Sequence, residues 1–191
     1  EIGRIILDDY YHRIALLENF NYDDVSAQLK NAEYGNASYY KIYLKQSIIR
    51  VYHLIKLLQN YGVMNGKLLE VGPLLGNFSV ALSKIGFDVT AIDRYKDMGS
   101  SFQIFVDDQR SNNVRVIETR NDEEYKDIDN LGYFDVIIAM AVIEHIPHTP
   151  KHFLETIIKK IKPRGLLAID TPNLSSYWHR ANINNDKSVF Q

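Results

Sequence analysis

Two acidic residues, each closing a short apolar run, flank a glycine-bearing turn and are the part of this sequence best suited to hold a ligand. The first run is Lys67-Leu68-Leu69, leading into Glu70-Val71-Gly72-Pro73-Leu74-Leu75-Gly76. The second is Val89-Thr90-Ala91-Ile92, ending in Asp93. Apolar run, turn, helix pattern and second apolar run describe a β-α-β unit with a ligand-binding turn between its first strand and its helix. A dinucleotide fingerprint would place glycines two and five positions beyond Gly72, where Leu74 and Asn77 stand. The turn is therefore badly suited to a pyrophosphate, and a nucleoside ligand without phosphates fits better. Gly72 lets the backbone pass close to a ligand, and Gly76 lets the helix start pack tightly. Asp93, 17 residues after Gly76, is spaced to accept hydrogen bonds from both ribose hydroxyls. The competing reading is a cap on the turn that follows it.

Other conspicuous polar residues also fall at expected strand ends: Arg94 beside Asp93, Asn121-Asp122, Glu144-His145 and Asp170-Thr171. In an open parallel sheet this is the edge at which ligands bind. Glu144, His145, His148 and His152 invite a metal reading, but Pro147 and Pro150 break the segment. The four are not expected to share one helical face, and no metal site is assigned.

Strands are expected at 67–71, 87–92, 114–117, 134–139 and 166–170. Phe78, Ala81, Leu82 and Ile85 form a helical stripe between the first two, with Gly86 as its C-terminal cap. Phe153, Leu154, Ile157, Ile158 and Ile161 form another between the last two. The nearly continuous apolar run Phe134-Asp135-Val136-Ile137-Ile138-Ala139 suits a strand buried on both faces. The alternation predicts a doubly wound, mainly parallel α/β sheet. Residues 4–34 read as helical, broken over 19–24, with a short second helix over 25–33, and a longer helix is expected over 38–61. Domain bounds follow: a helical N-terminal extension over 1–62 and the α/β domain over 63–191. Asp107-Asp108 and residues 121–129 read as solvated loops.

With 191 residues, 46% of them hydrophobic and 24% charged, the chain is ordinary for a globular protein. Acidic residues outnumber basic ones by 24 to 22, which gives no footprint for nucleic-acid binding. The one basic cluster, Lys159-Lys160-Ile161-Lys162-Pro163-Arg164, is expected to serve a helix C-terminus. There is no cysteine, so thiolate chemistry is excluded and a cytoplasmic location is expected. No apolar stretch is long enough to span a bilayer.

Three segments in the right order resemble the class I S-adenosylmethionine-dependent methyltransferases. Glu70-Val71-Gly72-Pro73-Leu74-Leu75-Gly76 is similar to that family's acidic-x-Gly-x-Gly-x-Gly turn. The run from Phe134 through Glu144-His145-Ile146-Pro147 resembles its fourth strand, and the stretch from Lys162 to Asn173 its fifth. The resemblance covers residues 40–175 and implies a Rossmann-like methyltransferase fold with S-adenosylmethionine as cofactor. It implies that Glu70 and the Gly72 backbone hold the methionine amine region and Asp93 the ribose, with Pro73, Gly76 and Arg94 as further cofactor-binding candidates. Met140 and Ala141 would meet the amino-acid end from the other side, and Asn121 or Asp122 would lie near the adenine. The sequence departs from the pattern at Leu74, in place of the middle glycine, and at Arg120, where an acid is usual. It also stops before the antiparallel strand pair that usually completes the sheet, which we read as a C-terminus cut short of those strands.

The implied activity is methyl transfer to a small-molecule acceptor, most readily at oxygen and of sugar or secondary-metabolite type. His145 is the candidate base for an acceptor hydroxyl, the competing reading being a structural role at the following helix. Tyr34, Tyr39, Tyr40, Tyr43 and Tyr52 fall where a lid is usual, though core positions suit most of them. The rival function is a methyltransferase-like binding or scaffold domain without catalysis.

Overall fold

A computed structural model describes residues 1–25, 36–120, 124–146 and 149–173. Two helices precede the sheet. Helix α1 (Ile2–Glu18) buries Ile6, Asp9, Arg13 and Leu17, and α2 (Ala37–Asn60) buries Tyr40, Leu44, Ser47, Val51, Leu54, Ile55 and Leu58. Both sets recur at three- and four-residue steps, one stripe of a helix. The Asn36 side chain caps α2 by accepting from the Tyr39 N–H at 2.9 Å. The break expected over 19–24 is present, and the helix expected over 25–33 lies almost wholly outside the described residues.

The alternating part then runs β1 (Gly66–Val71), α3 (Asn77–Ile85), β2 (Phe87–Asp93), α4 (Tyr95–Met98), α5 (Gln103–Ser111), β3 (Arg115–Glu118), α6 (Glu124–Asp129), β4 (Phe134–Met140), α7 (Lys151–Ile158) and β5 (Ile161–Asp170). All four strand pairings are parallel, in the order β3-β2-β1-β4-β5. Chain direction across the sheet reverses between β1 and β4, so the crevice beyond their carboxyl ends is the topological switch point.

Strand side chains alternate between two apolar layers. Leu68, Val89, Ala91, Val136 and Ile138 pack with Val51, Leu54 and Ile55 of α2 and Phe78, Ala81 and Leu82 of α3. Leu69, Val71, Ile92, Ile137 and Ala139 pack with Ile128 of α6 and Phe153 and Ile157 of α7. A third cluster joins Leu17, Phe20, Tyr40 and Leu44 of the N-terminal region to Leu75, Tyr95, Phe102 and Phe105.

Two expectations need correction. Asp107-Asp108 is no solvated loop: it belongs to α5, and Asp108 is buried. Residues 124–129 form a helix, with Ile128 in the core. The basic cluster meets helix ends as expected and then runs into β5: Lys159 is the C-cap of α7, and Asp129 is the last residue of α6. There Lys160 donates to the Asp129 and Leu131 carbonyls at 2.6 and 3.1 Å, and Lys162 pairs with Asp135 at 2.8 Å. Strand β5 also begins earlier than expected, because Pro163 and Gly165 are absorbed near a register irregularity between Phe134 and Val136. The tail over 174–191 lies outside the described residues.

Candidate cofactor site

Residues 72–76 carry three left-handed backbones: Gly72 at φ 74°, Leu74 at φ 51° and Gly76 at φ 74°. The Gly72 N–H donates to the Ile92 carbonyl at 2.9 Å, which holds the turn against β2. A Cβ on Gly72 would lie 2.6 Å from Val142 Cγ2, just past the end of β4. A Cβ on Gly76 would lie 2.3 Å from Gln109 Cδ on α5. Both glycines are thus required twice, by φ and by the close approach of another element.

Leu74 takes the backbone of the glycine it replaces. Its N–H donates to Asp93 Oδ2 at 2.8 Å, and its carbonyl accepts from the Tyr95 hydroxyl at 2.7 Å. The half-buried side chain packs against the third apolar cluster. Pro73 is buried beside it, and its carbonyl accepts from the Gly76 N–H at 2.9 Å.

Two buried carboxylates stand at the ends of adjacent strands. Glu70, 1% exposed, accepts from Ser79 Oγ on α3. Burial pushes its carboxyl up to about 7, and the negative charge of Asp93 adds to the rise. Asp93, 5% exposed, accepts from the Leu74 and Arg94 N–H groups, both at 2.8 Å. Burial raises its pKa despite these hydrogen bonds. Each Asp93 oxygen retains a lone pair for a further donor. Arg94 contributes its backbone N–H here.

Across the crevice, Met140 is buried and Ala141 adopts φ 60°. The Ala141 N–H donates to the Asp170 carbonyl at 2.8 Å. Glu144 is half-buried, its pKa raised chiefly by burial, and it accepts from Thr171 Oγ1 at 3.4 Å. His145 ends the short 3-10 turn Ile143–His145 and is exposed. Asn121 and Asp122 lie outside the described residues, as do Pro147 and His148. Beyond β3, Thr119 donates its N–H to the Asp93 carbonyl at 2.9 Å, and Arg120 pairs with Asp97 at 3.6 Å. Among the described residues, no three His, Asp or Glu side chains are grouped to hold a metal.

One residue of this neighbourhood, Arg50, escapes sequence reading, and Tyr43, named above among the lid or core tyrosines, interacts with it. Arg50 of α2 reaches the strand ends, where its Nε donates to Asp170 Oδ2 at 2.7 Å and its guanidinium lies 5.5 Å over the Phe78 ring. Its Nη2 is buried without a hydrogen-bond partner. Tyr43, two helical turns earlier, has its hydroxyl pushed up to about 12 by burial, and the charges of Glu70 and Asp93 contribute. The one available signal was spacing: Tyr43, Ser47 and Arg50 fall on one helical stripe, an odd place for an arginine.

Buried acids at the ends of adjacent strands, with a left-handed turn between them, stand at the carboxyl edge of an open parallel α/β sheet beside its switch point. Residues 40–190 match the family model described as a methyltransferase domain, and the chain belongs to that family. A Rickettsia bellii protein named ubiquinone biosynthesis O-methyltransferase is 28% identical over 159 residues, covering 82% of this chain and 61% of that protein. A Rickettsia prowazekii protein of the same name is 30% identical over 146 residues, covering 75% of this chain and 53% of that protein. The chain thus spans between half and two thirds of the length of these relatives. Among solved structures, DhpI in complex with SAH shares the fold, with a TM-score of 0.54 and 18% identity over 72% of this chain and 65% of that one.

Proposed function

We propose that this domain binds S-adenosylmethionine between the ends of β1, β2 and β4 and methylates a small-molecule acceptor at oxygen. The observation that carries the reading is the pair Glu70 and Asp93, two buried carboxylates flanking a turn whose glycines leave room for a close ligand. Glu70 would take the cationic amine, which would favour its ionised form. The spare lone pairs of Asp93 would take the ribose hydroxyls, with Gly72, Pro73, Gly76 and Arg94 supplying backbone around them. The unpartnered Arg50 Nη2 suits the methionine carboxylate, and the Met140-Ala141 backbone closes that side. Asn121 and Asp122, in the segment after β3, are assigned to the adenine.

The cofactor supplies a methyl group on a sulfonium that is its own leaving group, so the protein has mainly to align acceptor and methyl and to exclude water. Tyr39 and Tyr43 on α2 are placed to serve the second task. We assign His145 as the base for the acceptor hydroxyl, with Glu144 beside it at the crevice mouth. The names of the relatives favour oxygen as the acceptor atom. An acidic balance of charge supports a partner set without nucleic acid, and no helix among the described residues is long and apolar enough to cross a membrane. A cytoplasmic location fits the absence of cysteine. The alternative of a binding module without catalysis gains nothing from Leu74, which takes the backbone shape of a glycine. Isothermal titration with S-adenosylmethionine tests the reading; no binding by the intact chain would overturn it.

A further inference from the structure

The buried stripe of α1 contains two charged residues in step with Ile6 and Leu17: Asp9, 3% exposed, and Arg13, fully buried. A guanidinium without solvent must have its donors met inside the protein. Asp9 accepts from Nε at 2.9 Å and from Nη2 at 3.1 Å. Asp108 of α5 lies 3.2 Å from Nη2. Nη1 donates to the carbonyl of Leu75, inside the turn that follows β1. His12 extends the network toward the surface, with Nε2 at 2.7 Å from Asp108 Oδ1.

Docking α1 would need only the two acids. The bond to Leu75 does something further, because the preceding residue is the left-handed Leu74. That backbone is disfavoured for leucine and persists only where its surroundings over-determine it. Asp93 holds the Leu74 N–H, and Tyr95, itself receiving Gln109 Nε2 at 2.9 Å, holds the Leu74 carbonyl. Arg13 holds the next carbonyl, and of these three tethers it alone comes from the N-terminal helix. Helix α1 also meets the far side of the turn. Asp9 lines a small cavity with Asn77, the first residue of α3, whose buried side-chain Nδ2 and Oδ1 both lack a partner.

We propose that Arg13 is a positioning residue of the cofactor site. By fixing the Leu75 carbonyl it sets the backbone at Leu74, and with it the N–H that orients Asp93. Seating of α1 and cofactor affinity are then two readings of one coupling, and each must report on the other. This rests on the assignment of the turn to S-adenosylmethionine.

The test uses the full 191-residue chain with S-adenosylhomocysteine as probe. Arg13→Lys keeps a positive charge between Asp9 and Asp108 but gives up the planar fork. It is expected to weaken binding about tenfold while the protein remains folded. In the wild type, the ligand is expected to slow amide hydrogen exchange in residues 2–18 more than in α7, on the opposite face of the sheet. A folded Arg13→Lys protein binding within about twofold of wild type, on the scale of such couplings, would overturn the proposal. So would exchange in α1 that ignores the ligand, and this second arm decides alone should the variant not fold. A wild type that binds no S-adenosylhomocysteine would instead remove the cofactor assignment, and the proposal with it.

Discussion

The Leu74 N–H donates to Asp93 Oδ2 at 2.8 Å, joining the turn after β1 to the acid that ends β2. The departure from the glycine pattern and the ribose-type acid are therefore one piece of structure. The carboxylate that orients the turn is itself oriented by it, and the Arg94 N–H fixes its second oxygen.

Asp93→Ala leaves both of those N–H groups without their acceptor. Binding of S-adenosylhomocysteine is expected to fall at least about tenfold, and stability by about 1–3 kcal/mol for the orphaned donors. Asp93→Asn keeps one acceptor oxygen and should lie between the two. Titration calorimetry and urea unfolding read the two effects separately, and an unchanged affinity in Asp93→Ala would remove Asp93 from the site.

Gly72→Ala places a methyl 2.6 Å from Val142 Cγ2 on a backbone at φ 74°. The left-handed backbone alone costs about 1–2 kcal/mol, and the contact adds to it. Because the clash has one identified partner, Val142→Ala should relieve that part. In a double-mutant cycle by chemical denaturation, the pair is expected to be less destabilised than the sum of the singles by about 0.5 kcal/mol or more. Strict additivity would show that Val142 does not close on the turn.

Glu70 gives the apo protein a pH dependence of definite sign. Its carboxyl titrates near 7 in the folded chain, against about 4.3 in an unfolded one. The protonated form is the one the fold prefers, so its contribution is complete below about pH 4 and is lost as pH rises through 7. The difference is on the order of 3 kcal/mol. Glu70→Gln keeps an acceptor for Ser79 and should flatten stability between about pH 5 and 7.5 relative to wild type. Asp9, Asp93 and Glu144 are also raised by burial, but they are common to both proteins, so the difference between the two slopes is what reports on Glu70. Denaturant midpoints across that window, equal in slope for the two proteins, would contradict the assignment.

Arg50→Ala removes the ion pair with Asp170 and the cover over Phe78. Affinity for S-adenosylhomocysteine is expected to drop about tenfold, a scale set by the loss of a charge-assisted hydrogen bond. Stability should fall by only about 1 kcal/mol, since the ion pair with Asp170 is partly exposed. Arg50→Lys should restore part of the affinity without the planar fork. Affinity unaffected by both variants would place the carboxylate elsewhere.

His145→Ala separates binding from turnover. With a hydroxyl-bearing acceptor, kcat is expected to fall about 10²–10⁴-fold while cofactor affinity stays near wild type. An unchanged kcat would assign the histidine a structural role at the crevice mouth and shift attention to Glu144.

What could be read from local pattern was the strands, the glycine turn and the stripes of the longer helices, while α5 and the helix over 124–129 escaped it. The alternation of apolar runs and helical stripes specified a parallel sheet, because side-chain period reports burial one element at a time. Glu70, Gly72, Gly76 and Asp93 stood out because strand-end acids and turn glycines sit within one β-α-β unit. Arg13 and Arg50 did not, since their partners lie 62 and 120 positions away. Asp108 looked solvated for the same reason: a charged pair in sequence reads as surface until the cation that buries it is known.

The sequence by itself determined the order of the five strands along the chain, the edge at which they end and the acids that stand there, all properties of local pattern. Tertiary structure decided whether Leu74 could stand where a glycine was expected. Its left-handed backbone is unfavourable locally and is held by Asp93, Tyr95 and Arg13, which only folding brings to one turn.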